Sequence, residues 1–229
     1  MPNHRPRTAR TAAITGLAAG SALLLTACNS VPDEPMSAEE LETVVPTGDR
    51  IPEGWQDQGD PTVEEVGASA DSLLFRLGMV FGPIDTGDDC EDQLEEFEEN
   101  LEDVEVVAQG EAPYSDEDEE HGFAAIPVST DEEYDVTEEV LELMRVCFEG
   151  AIEEDEDMEG AALGELDTSL DSVLVTMQES EEEGRVLVGG YSYGHNHLLV
   201  VGFSDDPDAD FSEIADTTHE IFEEGPDAD

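Results

Sequence analysis

Between residues 73 and 81 the chain alternates without a break. Leu73, Phe75, Leu77, Met79 and Phe81 point one way, and Leu74, Arg76, Gly78 and Val80 the other. That period predicts a strand with one strongly buried face. The period then changes: Cys90, Leu94, Phe97 and Leu101 share one side of a helix whose other side is nearly all Glu and Asp. Asp88 and Asp89 are its cap candidates, and acids in the first turn suit the helix dipole. A strand is predicted at 104–108, then an acidic loop, then a strand at about 123–128. A second helical stripe runs through Val136, Val140, Leu143 and Cys147. Residues 150–168 read as a linker holding the acidic run Glu153 to Asp157.

Three strand signals follow at 173–177, 186–193 and 198–203. Glu181-Glu182-Glu183-Gly184 separates the first pair and Gly194-His195-Asn196 the second, and both read as hairpin turns. A last amphipathic helix spans about 210–223, with Phe211, Ile214, Ala215, Thr218, Ile221 and Phe222 inward. Strands come in runs between helices, so the predicted class is α+β, a mainly antiparallel sheet with amphipathic helices packed on one face. Residues 49–225 form this single domain, with Trp55 as a core anchor near its edge. Residues 28–48, with Pro32, Pro35 and Pro46, read as an acidic flexible tether carrying a short helix capped by Ser37.

The N-terminus has its own logic. Arg5, Arg7 and Arg10 form a basic leader, and an apolar run follows from about Ala12 to Leu25, diluted by Gly16 and Gly20. The run is shorter than the roughly 20 apolar residues of a spanning helix, and the shape is that of a secretory signal over residues 1–27. It closes on Leu25-Thr26-Ala27-Cys28, which resembles the lipobox of bacterial lipoproteins. The resemblance covers residues 1 to 28. It implies that the Cys28 thiol is alkylated with diacylglycerol and that cleavage makes Cys28 the new N-terminus. Two or three acyl chains then hold the protein on the extracytoplasmic face of the cell membrane. The ending, hairpins followed by a C-terminal helix, resembles small actinobacterial lipoproteins with a PsbP/Mog1-like fold at the level of layout.

With Cys28 lipidated, Cys90 and Cys147 remain as an even pair in an oxidising compartment. Each lies on the inward stripe of its helix, which favours a disulfide over two separate buried thiols. Composition narrows the partners. The 229 residues hold 62 Asp and Glu against seven Arg and no Lys, a formal charge of −55. Nucleic acid is excluded, since phosphate binding needs clustered basic residues. The acids are spread over helix backs, loops and the 28–48 segment, which fits whole-surface adaptation to high salt better than one cationic partner.

Three candidate sites arise. Gly190-Tyr191-Ser192-Tyr193-Gly194 matches G-x-S-x-G, and Asp216 and His219 follow in hydrolase order. Against a hydrolase, a strand rather than a helix follows Ser192, little chain remains, and Asp216 and His219 share one helix at a spacing of three. His195-Asn196-His197, completed by His219 or Glu220, is a candidate transition-metal set, opposed by the turn signal of Gly194 and Asn196. For calcium, the stretch opening at Asp155 has Leu166 at position twelve. The series Asp206, Asp208, Asp210 has Phe211 and Thr217 where Gly and Glu are required. Neither is an EF-hand. The sequence therefore predicts no catalytic residue, metal or cofactor. It predicts a lipid-anchored envelope module that binds or scaffolds an envelope protein or small ligand, with a serine hydrolase using Ser192 or a metal-binding module as the alternatives.

Overall fold

A computed structural model describes residues 31–69, 87–154, 158, 160–177 and 183–226; the strand expected at 73–81 lies outside them. In chain order the described elements are α1 (Ala38–Thr43), β1 (Trp55–Asp57), β2 (Thr62–Ser69), α2 (Gly87–Leu101), β3 (Glu105–Asp116), β4 (His121–Thr130), α3 (Val136–Glu154), β5 (Ala161–Gly164), β6 (Asp171–Met177), β7 (Gly184–Tyr193), β8 (Asn196–Ser204) and α4 (Ser212–Glu224). The eight strands form one sheet in the order β1-β3-β4-β8-β7-β6-β5, with β2 also on β3. Every pairing is antiparallel. The class is α+β, as the runs of strands predicted.

Side-chain alternation along the central strands divides the interior in two. Val188, Leu199, Ile126, Val128, Val173 and Val175 enter one core with α2 and α3. Their neighbours Leu187, Leu198, Val200, Ala125 and Leu174 enter a second core with α1 and α4. The expectation that the helices share one face is thus corrected. The central strands are apolar at successive positions, so both faces must be covered. A register shift between Val106 and Ala108 sends those two residues to different cores.

α2 and α3 lie side by side on the first face, joined by a Cys90–Cys147 disulfide with a Cα–Cα distance of 4.6 Å. The bridge closes a separation of 57 residues, for which the chain-entropy model gives up to about 4 kcal/mol. On α2, Cys90, Phe97 and Leu101 are buried, while Leu94 is 38% exposed. On α3 the buried set is wider than the four-residue stripe and adds Leu141, Met144, Phe148 and Ala151, because this helix packs on both α2 and the sheet. α3 also runs into the expected linker, and β5 occupies more of it.

Residues 31–48, expected as part of a flexible tether, are instead packed: Val31, Met36, Leu41, Val44 and Val45 are all buried. Ser37 does cap α1, forming a reciprocal box with Glu40, whose carboxyl is held below the usual range by those bonds. Met36 and Leu41 flank that box and bury together as a hydrophobic staple. The Tyr114 hydroxyl donates to the Pro46 carbonyl at 2.8 Å, fixing the exit of the segment. Trp55 begins edge strand β1 and packs edge-on to Phe123 at 6.0 Å.

Among the described residues, ion pairs do little to neutralise the surface. Arg50 pairs with Glu224 and Arg145 with Glu142, all partly exposed, and such pairs contribute at most about 1 kcal/mol each. Self-repulsion among the carboxylates is left for the solvent to screen. The unfolding midpoint is therefore expected to rise between dilute buffer and molar potassium chloride; a midpoint independent of salt would contradict the saline reading of this surface.

Candidate binding cleft

The N-terminal half of α3 and the loop between β5 and β6 face each other across a cleft of about 630 Å³. Asp135, Glu138 and Glu142 line it from the α3 side, and Glu165, Asp167 and Asp171 from the other. Arg145 is the one cation among the described lining residues, and its guanidinium is 3.0 Å from Glu142. The loop is shaped by the Leu166 N–H donating to Ser172 Oγ at 2.9 Å. A second hollow of about 390 Å³ also takes Arg145, Glu165 and Ser172 into its lining. With six carboxylates and one occupied Arg, the cleft repels anions and favours a cationic group.

Ser192 lines this cleft near the end of β7. Its Oγ is 2.8 Å from Thr137 Oγ1 and 2.9 Å from His197 Nδ1, and accepts the Thr137 N–H at 3.3 Å. His197 Nε2 is in turn 3.1 Å from Thr130 Oγ1, so the Ser192 hydroxyl bridges the buried imidazole and the start of α3. The hydroxyl therefore ties β7 to the first turn of α3. The rest of the G-x-S-x-G match has the same structural origin. A side chain at Gly190 would meet Leu198 O and Thr137 Cγ2, both at 2.7 Å, and Gly194 takes a φ of +57° in the hairpin turn.

Asp216 and His219 do not meet Ser192. Alternation turns Tyr191 toward the second core, where its ring stacks edge-on to His219 at 4.4 Å. There Asp216 Oδ1 accepts the Ser169 N–H and hydroxyl, both at 2.9 Å, and His219 Nδ1 is 2.8 Å from the same hydroxyl. The hydrolase acid and base are thus spent holding α4 to the β5–β6 loop, on the opposite face from Ser192.

The candidate metal set is divided as well: His195 and His197 both reach Thr130, whereas His219 is on the other face with Tyr191 and Ser169. The turn is Gly194-His195 alone, and Asn196 opens β8 by pairing with Tyr193. His195 Nδ1 is 3.1 Å from the Thr130 carbonyl, and His197 Nε2 is 3.1 Å from Thr130 Oγ1. Glu220 is exposed on α4, and no cluster of three potential metal ligands occurs among the described residues. Asp206 and Asp210 accept the backbone N–H groups of Asp208 and Ser212, each at 2.9 Å, and so shape the entry to α4. Those bonds hold the Asp210 carboxyl below its ordinary range.

Asn196 is the functional polar residue that the sequence reading placed in a turn. Its Oδ1 accepts the Met36 N–H at 2.9 Å and the Ser129 hydroxyl at 2.6 Å. Its Nδ2 donates to the carbonyls of Pro32 and Glu34 at 2.9 and 3.0 Å. All four bonding positions of the amide are filled. A fully buried amide in that state fixes the N-terminal segment against the sheet.

Burial pushes His197 down to about 4, with Asp135 opposing and His195 adding to the shift. The ordinary value is 6.5, so as pH falls the unfolded chain takes up this proton first. The stabilisation from keeping His197 neutral is full above about pH 6.5 and is lost on descent to about 4, up to about 3 kcal/mol. Wild type is therefore expected to lose more unfolding free energy than His197→Gln across that window, the carboxylates cancelling in the difference. Parallel pH curves would contradict it.

No protein-family model matches the chain, and no curated protein matches it. Two solved structures are similar in outline. The extracellular domain of PknH from Mycobacterium tuberculosis matches with a TM-score of 0.44 and 9% identity, over 83% of this chain and 97% of that one. An uncharacterized protein from Mycobacterium smegmatis matches with a TM-score of 0.40 and 9% identity, over 80% and 96%. At that level of likeness neither a family nor a role carries over.

Proposed function

We propose that the chain is an envelope lipoprotein, anchored through acylated Cys28, whose domain binds a cationic ligand in the cleft between α3 and the β5–β6 loop without transforming it. The observation that carries the location is the buried Cys90–Cys147 bridge, which belongs to an oxidising compartment. It agrees with the signal-like N-terminus closing on Leu25-Thr26-Ala27-Cys28. No helix among the described residues is long and apolar enough to cross a membrane, and lipid on Cys28 supplies attachment without one. The separation of Ser192 from Asp216 and His219 supports binding over hydrolysis, and the carboxylate lining supports a cationic ligand.

Two measurements test this reading. Mass spectrometry of the membrane-extracted protein is expected to find an N-terminal peptide beginning at diacylglyceryl Cys28, and Cys28→Ala should leave the membrane fraction. An unmodified, soluble wild-type N-terminus would refute the anchor. Calorimetric titration with spermidine, a probe cation, should saturate at one site and weaken several-fold in Glu165→Gln/Asp171→Asn. Heat that never saturates, or is unchanged in the variant, would refute the cleft as the site.

A further inference from the structure

Very little chain separates Cys28 from residues that the described fold holds in place. Val31 is buried, and the carbonyls of Pro32 and Glu34 are held by Asn196. Asn196 opens β8 immediately after the Gly194-His195 turn. The fixed segment also runs beside that turn, since a side chain at Gly194 would approach Asp33 O at 3.7 Å. Cys28 is three residues before Val31, and three extended residues reach only about 10 Å.

We propose that the β7–β8 turn end of the sheet faces the lipid headgroups at contact range, and that the β3–β4 turn points away from the membrane. The inference rests on acylation of Cys28 and adds an orientation to it. Ser129 of β4 pairs with Asn196, and His121 at the other end of β4 pairs with Ser204. The ten residues of β4 span roughly 30 Å. The acidic turn Asp116–Glu120, at the His121 end, is thereby held about three Debye lengths from the surface at about 0.1 M ionic strength, and more at higher salt. Tyr193, 40% exposed beside the turn, offers an apolar ring and a polar tip suited to the headgroup layer. Asp33, Glu34 and Asp131–Glu133 also lie near this end, so charge attraction to an anionic bilayer does not set the orientation. The short leash does. Ser192, one of the residues lining the cleft, lies near the same turn.

The test uses the mature lipoprotein, purified from membranes with its N-terminal mass measured. Tyr193→Cys and Asp118→Cys are each labelled with a fluorophore. Each is then reconstituted into phosphatidylglycerol/phosphatidylcholine vesicles carrying a headgroup quencher. Quenching at position 193 is expected to exceed that at 118 several-fold. A Gly/Ser insert of about twenty residues between Ser30 and Val31, spanning roughly 25 Å, should abolish the difference. Equal quenching on acylated protein overturns the orientation alone, and a difference that survives the insert overturns the short leash as its cause. An unacylated Cys28 overturns the anchor and the orientation together.

Discussion

β7 and β8 sit at the centre of the sheet, and each of their apolar side chains must go to one face or the other. Val188 and Leu199 enter one core, and Leu187, Leu198 and Val200 the other. Two buried faces demand two helical layers. α2 and α3, stapled by the disulfide, supply one layer. The second layer is built from α1, α4 and the 31–48 segment, with Met36, Leu41, Phe211 and Phe222 fully buried in it. A 31–48 segment free in solvent would leave part of that face bare.

The same alternation decides the chemistry. Tyr191 and Ser192 are adjacent in the chain and opposite in space, so a single residue step separates the Asp216–Ser169–His219 cluster from the Thr137–Ser192–His197 cluster. A nucleophile, a histidine and an acid are all present in hydrolase order, yet the pleat of β7 assigns them to different jobs. Ser192 ties down the start of α3, while Asp216 and His219 tie down the loop that forms the far wall of the cleft. Between these fixed walls lies a carboxylate-lined space whose one Arg is already paired.

The elements legible in the sequence are those whose apolar positions repeat at one period against an acidic background. α2, α3 and α4 are of this kind, strands β6 to β8 are legible instead as near-continuous apolar runs between turn residues, and the stripe positions of Cys90 and Cys147 point to their bridge. The apolar pattern of β3 stops at residue 108 but the strand continues to Asp116, because Gln109, Gly110 and Glu111 interrupt that pattern while pairing through the backbone with β2. β2 carries Glu64 and Glu65 in the same way, and β5 is short and rich in Ala and Gly. Neither has the side-chain signature of a strand, and backbone pairing places both. The 31–48 segment was hidden by three prolines and its acids. Its legible signal was the pair Met36 and Leu41 flanking the Ser37–Glu40 box, a staple that fixes a chain entry only where there is a core to enter. The Asn196 clamp had no local signal, since its partners Pro32, Glu34 and Met36 are distant in sequence.

Integration of residues 31–46 into the fold gives the domain its second core and holds its position close behind Cys28. Amide hydrogen exchange at Met36 reads that directly, because its N–H is bonded to the buried Asn196 side chain. The packed arrangement predicts protection at Met36 comparable to that of the β4–β8 ladder, lost together with it on unfolding. Exchange at the rate of an unstructured peptide, with β4 and β8 still protected, would contradict it.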